Sequence, residues 1–219
     1  MDHRIYSRSL PEAKENLDVI PKIIEELARR LLEAAQGKMF PVDILTIAVL
    51  NRTVGNYAGF KSLVEGQNIS AAGSILRTQI DSLIRYNALW LVEDPHDFSN
   101  NIIAGDRVDK IRDKNNKFLK DAYLVSQLSV DHPWLPQVYK NLCGFIHFSG
   151  GHVTDAVDKI EDNTITFRIG PQASRPDETW IELLDCFSET TRMLCDLVLG
   201  CIETKDLSLI HISEPTRPY

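Results

Sequence analysis

The sequence lacks the features that mark several classes of protein. No apolar run approaches the roughly 18 to 20 residues that a membrane-spanning helix requires, and the N-terminus has no basic start followed by an apolar core. The four cysteines form no Cys-x-x-Cys pair, which predicts buried, reduced thiols rather than a metal knuckle or a disulfide framework. We therefore expect a cytoplasmic protein with no membrane segment.

An excess of positive charge is also missing. The formal net charge is −7 and the isoelectric point is about 5.4, so the bulk charge of the surface opposes binding of long duplex nucleic acid. One stretch departs from this, because residues 107–120 hold six bases and two acids, a charge of +4 against −11 for the remainder. The stretch is either a solvated connector between helices or an edge that faces phosphate. The second interpretation makes Arg107, Lys110 and Arg112 candidate binding residues.

What the sequence does have is helical periodicity. The 219 residues are 43% hydrophobic and 25% charged, which is typical of a single globular domain with a sizeable core. Apolar residues recur at steps of three and four along most of the chain. This spacing predicts helices over 9–36, with a kink or a split at Pro21, and over 41–65, 70–93, 121–128, 134–148 and 177–204. Ser70 is the expected N-cap of the third helix, and "ILTIAVL" at Ile44 to Leu50 is apolar on every face, which predicts that the second helix is central and buried.

The remaining segments complete the predicted architecture. "TITFRI" at 164–169 alternates polar and apolar residues after Asp162-Asn163, which predicts a short β-hairpin or a lone strand. The fold class is therefore all-α, a helical bundle with this β insertion before the last helix. We expect a single helical domain over residues 1–206. The ending "LSLIHISEPTRPY", residues 207–219, resembles a translated sequencing adapter, so we expect it not to be native.

Charged residues on the third predicted helix form the first candidate site. Arg77, Asp81 and Arg85 follow one another at four-residue spacing along the edge of the apolar arc. Arg77 points partly into the core, where a guanidinium has to be paired. Asp81, one turn further on, is the expected partner.

The second candidate site is "FIHFSGGH", residues 145–152, at the end of the predicted helix 134–148. His147 projects away from the core stripe on the same side as Lys140, and Ser149 and His152 follow where the helix breaks. An imidazole beside basic residues can act as a general acid or base near neutral pH. The alternative interpretation is a helix-end histidine bonded to a carbonyl, with Tyr139 in the core.

Two other chemistries fit this segment poorly. A metal site would use His147, His152 and Asp155, but a five-residue step places the two histidines about 140° apart on a continuous helix, and no known ligand spacing is present. A serine hydrolase at Ser149 lacks the Gly-x-Ser-x-Gly motif. We therefore expect no metal and no other cofactor.

Three segments carry a resemblance to a known group of proteins. "RTQIDSLIR", "DAYLVSQLS" and "YKNLCGFIHFSGGH" resemble a family of bacterial helical proteins placed with the HEPN superfamily, over about residues 69–169. The resemblance implies a helical, often homodimeric protein, and frequently a metal-independent ribonuclease of toxin–antitoxin or phage-defence systems. The catalytic signature of that family is an arginine followed, after four to six residues, by a histidine. No arginine here has that spacing, and the nearest approach is Lys140, six intervening residues before His147.

Two functional hypotheses follow. In the first, the chain is a non-catalytic binding or scaffold module whose polar cluster fixes the register of the helices, and the resemblance implies a bacterial defence or stress system. In the second, it is a metal-independent ribonuclease in which His147 moves the proton and Lys140, Arg77 or Arg85 binds phosphate. RNA, an antitoxin or other protein, and a second copy of the chain are the expected partners. The residues expected in the cluster are Arg77, Asp81, Lys140, His147, Ser149 and His152.

Overall fold

The computed structural model describes residues 7–146, 156–167, 169 and 175–213, with side chains as far as Asp206 apart from that of Asp158. These residues form a helical bundle with a two-stranded antiparallel sheet before the last helix, which confirms the predicted fold class. The partner strand makes the predicted β insertion a hairpin. The elements are α1 (Leu10–Asp18), α2 (Ile20–Glu33), α3 (Pro41–Glu65), α4 (Ile69–Tyr86), α5 (Pro95–Ile103), α6 (Asp121–Leu128), α7 (Leu135–Ile146), β1 (Val157–Glu161), β2 (Thr164–Phe167) and α8 (Asp177–Ser213).

Proline and capping residues set the boundaries of the first two helices. Ser9 caps α1 by accepting a hydrogen bond from the Glu12 amide at 3.4 Å. The single helix predicted over 9–36 is split at Val19, and Pro21 lies in the first turn of α2. Proline is tolerated there because the first amides of a helix have no intrahelical acceptor. Of the two predicted outcomes, a kink or a split, the structure has the split.

The third predicted helix differs from α4 at both ends. Asn68 is the N-cap in place of Ser70, because its side-chain oxygen accepts from the Ala71 amide at 3.1 Å. The helix ends at Tyr86 instead of Glu93 and tightens into a 3₁₀ turn at Asn87–Trp90.

Helix α5 follows in a region where the sequence analysis placed no helix. Asp94 caps it by accepting from the amides of His96 and Asp97, at 2.7 and 3.1 Å. Pro95 occupies the first helical position, where its missing N–H costs nothing. The Asp-Pro pair thus marks the beginning of a helix.

Helix α4 is the central element, and it packs against α3, α6, α7 and α8. Leu76, Ile80, Leu83 and Ile84 are fully buried along it. The prediction that α3 is the central buried helix is wrong, because its Ile44 is 51% exposed. Helix α3 covers the core with one face only, so an all-round apolar sequence leaves its other face at the surface.

Helices α4 and α7 approach each other closely at Gly73. A Cβ at Gly73 would lie 2.9 Å from Cγ and Cδ2 of Phe145, a distance that van der Waals radii do not allow. Ser74, the next residue, donates from its hydroxyl to the Phe145 carbonyl at 3.0 Å. Glycine at 73 therefore sets how closely α7, which carries the candidate site, lies against α4.

We expect Gly73→Ala to destabilise the fold by about 1 to 3 kcal/mol through overpacking, although alanine is the better helix former by about 1 kcal/mol. The measurement is urea unfolding of the wild type, Gly73→Ala, Phe145→Leu and the double variant. Because the ring of Phe145 causes the clash, the cost of the added methyl group should fall in the Phe145→Leu background. An equal cost in both backgrounds would contradict this account.

Candidate functional site

Arg77 lies inside the bundle, where α4 faces α7. The residue is 8% exposed, and its Nη1 atom lies 2.6 Å from Oδ1 of Asp81, which confirms the partner expected from the sequence. The guanidinium stacks on Tyr139, with Cζ 3.7 Å from the ring centroid, and Nη2 donates to the Tyr139 hydroxyl. Burial acts to lower the pKa of Arg77, but the hydrogen bond and charge of Asp81 outweigh it and raise that pKa. Arg77 is therefore a permanently charged, enclosed cation.

Asp121 connects this cation to the rest of the site. Lying in the first turn of α6, it accepts from the Tyr139 hydroxyl at 3.1 Å and from Nη2 of Arg85 at 3.1 and 3.3 Å. Its carboxylate is also 4.0 Å from Nη2 of Arg77. Burial raises the pKa of Tyr139, so the phenol stays protonated and donates to Asp121. The sequence analysis missed Asp121, and its position at the start of a helix was the only available indication.

Arg77, Asp81, Arg85, Asp121 and Tyr139, which we call the Arg77 cluster, join α4, α6 and α7. The cluster holds two cations and two carboxylates, so its formal charges cancel. Its two ends differ in access, because Arg77 is enclosed whereas the side chain of Arg85 is 46% exposed. The Arg85 end is therefore the more accessible to a solute.

A groove of about 470 Å³ opens beside Arg85, and we call it the Arg85 groove. Arg107 is in it and bonds the neighbouring Asp109 at 2.8 Å. Its charged lining amounts to three cations against three carboxylates, so it offers no concentrated charge of either sign. The charged residues of the lining are Arg85, Asp106, Arg107, Asp109, Lys120 and Asp121.

The basic stretch 107–120 is a structured loop that folds around Asp113. This buried carboxylate accepts from the amides of Asn115 and Lys117, at 2.9 and 2.8 Å, and from the Tyr123 hydroxyl at 2.6 Å. Burial acts to raise the pKa of Asp113, but these hydrogen bonds outweigh it and hold that pKa below its ordinary value. Arg112 stacks on Phe118, with Cζ 3.8 Å from the ring centroid, and donates to the Asn116 carbonyl at 2.7 Å.

The predicted site residues fall into three groups. Arg77 and Asp81 pair as predicted, and they are joined by Arg85 and Tyr139, which the predicted cluster did not include. Lys140, which it did include, has an exposed side chain, as does Lys110. Tyr139 is only half-buried, and it bonds two charged residues rather than lying in the apolar core. The residues outside the described part of the chain are His147, Ser149, His152 and Asp155.

Other chemistry finds little support in the described part of the chain. Among those residues no group of three His, Cys, Asp or Glu side chains is placed to hold a metal ion. None of the four cysteines, all within the described residues, is in a disulfide, although only Cys195 is buried and the other three are half-buried. Burial raises the pKa of Cys195 to about 12, which makes it a poor nucleophile. No helix in the described residues is long and apolar enough to cross a membrane.

Comparison with known proteins adds no assignment. No family model matches the chain, and neither a curated protein nor a solved structure matches it. The HEPN-like resemblance therefore stays a prediction that rests on the three quoted segments.

We expect Arg77→Met to destabilise the protein by about 3 to 5 kcal/mol, because it strands the carboxylate of Asp81 without its partner. The double variant Arg77→Met/Asp81→Leu should lose less than the single variant, since neither charge remains. Urea unfolding of both checks this, with Arg85→Met as the control. That exposed arginine should cost about 1 kcal/mol or less. If the double variant is less stable than Arg77→Met, the pair does not act as a unit.

Proposed function

We propose that the chain is a non-catalytic helical scaffold, in which the Arg77 cluster fixes the positions of α4, α6 and α7. The observation that carries this proposal is the enclosure of Arg77, one of the cations that the ribonuclease alternative would use to bind phosphate. A cation that stabilises charge on phosphate has to reach the substrate. Arg77 instead pairs with Asp81 and donates to the Tyr139 hydroxyl.

The charges around Arg85 support the same proposal. Arg85 is exposed enough to meet a ligand, but Asp121 already bonds it through both carboxylate oxygens. A phosphate in the Arg85 groove would have to displace that carboxylate and lie near two further aspartates, Asp106 and Asp109. Electrostatic attraction of RNA requires an excess of cations, and this groove has equal numbers of both signs.

The test of the non-catalytic proposal is metal-free incubation of the full chain with total RNA and with transfer RNA, alongside His147→Ala. We expect no cleavage by folded wild-type protein. Cleavage by the wild type that is lost in His147→Ala would overturn the proposal and establish the ribonuclease alternative. Arg85→Met, assayed beside them, would then show whether Arg85 supplies the cation.

A scaffold needs a partner, and we propose that the partner is a second copy of the chain, bound through the outer face of α3. Seven residues on this face are exposed, and they recur at steps of three and four. A Cβ at Gly55 would meet nothing within 4 Å. Packing inside the chain therefore does not require glycine at this position, although glycine destabilises a helix by about 1 kcal/mol relative to alanine. The α3 face consists of Ile44, Ile47, Ala48, Asn51, Val54, Gly55 and Ala58.

The order of these residues favours pairing with an identical copy. Each large residue of the α3 face that lies a given number of positions from Asn51 in the sequence has a small residue the same number of positions away in the opposite direction. In an antiparallel pair related by a twofold axis near Asn51, every large side chain therefore meets a small one. Two Asn51 amides would face each other at the axis, where a polar pair fixes register at some cost in stability. The facing pairs are Ile44 with Ala58, Ile47 with Gly55, and Ala48 with Val54.

We expect Val54→Asp to convert the dimer to a monomer, raising its dissociation constant at least about tenfold, because the pairing would bury two unpaired carboxylates. Sedimentation equilibrium over a concentration series measures this. Val130→Asp is the matched control, since it makes the same change at an exposed valine away from α3. A monomeric wild type, or a dimer that tolerates Val54→Asp, would refute the proposed interface.

A further inference from the structure

A second cavity, of about 400 Å³, lies away from the Arg77 cluster. It is bounded by the start of α3, by the 3₁₀ turn Asn87–Trp90 with the start of α5, and by Cys201 to Lys205 on α8. Its volume is within the range of small-molecule sites. Neither the sequence analysis nor the proposed scaffold function uses it, so the argument for it stands apart from both.

The inner wall of this cavity carries a buried ion pair. Nζ of Lys205 lies 3.1 Å from Oδ2 of Asp43, and both side chains are 5% exposed. Lys205 also donates to the Leu31 carbonyl at 2.9 Å, while Asp43 accepts from the Phe40 amide at 2.7 Å. The two charges cancel each other. A ligand with a net charge of either sign would be attracted by one member of the pair and repelled by the other.

Aromatic side chains form the outer wall. Phe40 and His96 lie with ring centroids 5.7 Å apart at a 56° tilt, and both are exposed. Trp90 is 42% exposed, an unusual position for so large an apolar surface. Tryptophan, phenylalanine and imidazole rings around one cavity favour a flat ligand, which can stack on one ring and meet the edge of another.

The position of Trp90 depends on a glycine in α8. A Cβ at Gly200 would lie 3.1 and 3.3 Å from the Cζ2 and Cη2 atoms of the indole ring. Such contacts are tighter than ordinary packing, so only the absence of a side chain at 200 lets the ring lie against the helix in this way. The outer wall is therefore formed before any ligand arrives.

The thiol of Cys201 in the lining is in a poor state for covalent chemistry. Burial raises the pKa of the Cys201 thiol, although a hydrogen bond from Tyr86 acts in the opposite direction. The Tyr86 hydroxyl donates to Sγ at 3.3 Å and is 2.8 Å from the Thr46 hydroxyl. A thiol without appreciable thiolate does not attack a ligand. The cavity is suited to reversible binding.

We propose that this cavity binds an uncharged, planar aromatic small molecule. The rings of Phe40, Trp90 and His96 supply stacking surfaces, and the compensated Asp43–Lys205 pair selects against net charge. The three probes that test these statements share one bicyclic ring framework with a substituent at the same position. They are 2-naphthol, which is aromatic and uncharged, decahydro-2-naphthol, which is saturated, and 2-naphthoate, which is charged.

The measurement is isothermal titration of the full chain with each probe. We expect saturable binding of 2-naphthol and at least about tenfold weaker binding of the other two, since one lacks a ring to stack and the other carries an uncompensated charge. No binding of 2-naphthol by folded protein would overturn the proposal. Equal affinity for 2-naphthoate would overturn the selection against charge, and equal affinity for the saturated alcohol would overturn the role of the rings.

Substitutions in the lining test whether 2-naphthol binds in this cavity. Trp90→Ala removes one stacking surface and should weaken 2-naphthol binding about tenfold. Gly200→Ala keeps the ring but displaces it, so a several-fold loss is expected even if Trp90→Ala fails to fold. Phe167→Ala is the matched control, because this residue is an exposed aromatic on β2, far from the lining. Binding that is unchanged in folded Gly200→Ala and Trp90→Ala would exclude this cavity as the site.

Discussion

The arrangement of the bundle depends on the burial of one guanidinium. An arginine inside a protein is tolerable only when its charge is compensated, and a guanidinium has more donors than one residue can accept from. Asp81 supplies the charge from the same helix, Tyr139 supplies a ring face and an oxygen from α7, and Asp121 completes the network from α6. The positions of three helices are therefore fixed relative to one another by one polar network. Apolar packing alone does not impose so specific a constraint.

The part of this network that lies within one helix could be predicted from the sequence, whereas the part between helices could not. Arg77 and Asp81 are one turn apart, so helical spacing alone brings them together. Asp121 lies 40 residues after Asp81 in the chain, and nothing local indicates that it meets the Tyr139 hydroxyl. That contact depends on how α6 and α7 pack against each other, and the spacing of apolar residues along the sequence does not predict this packing.

The fold shows the same division. Most of the helices and the strand at 164–167 were predictable because their apolar spacing is a local property, whereas the partner strand of the hairpin was not. The exposure of Ile44 was not, because a helix that is apolar all round looks the same whether its outer face meets another element or lies at the surface. Helix α5 was missed since the weak apolar spacing after Pro95 concealed it, although Asp94-Pro95 is a recognisable helix start.

In the loop at 107–120, the backbone conformation and the surface charge depend on largely separate residues. Its backbone path is set by Asp113, which points inward, whereas lysines such as Lys114 and Lys117 have exposed side chains. Shape and most of the surface charge are thus encoded by different residues, the exception being Arg112, which donates to the Asn116 carbonyl. The loop can drift from basic to neutral or acidic over evolutionary time while keeping its conformation, so its charge is the more adjustable of the two traits.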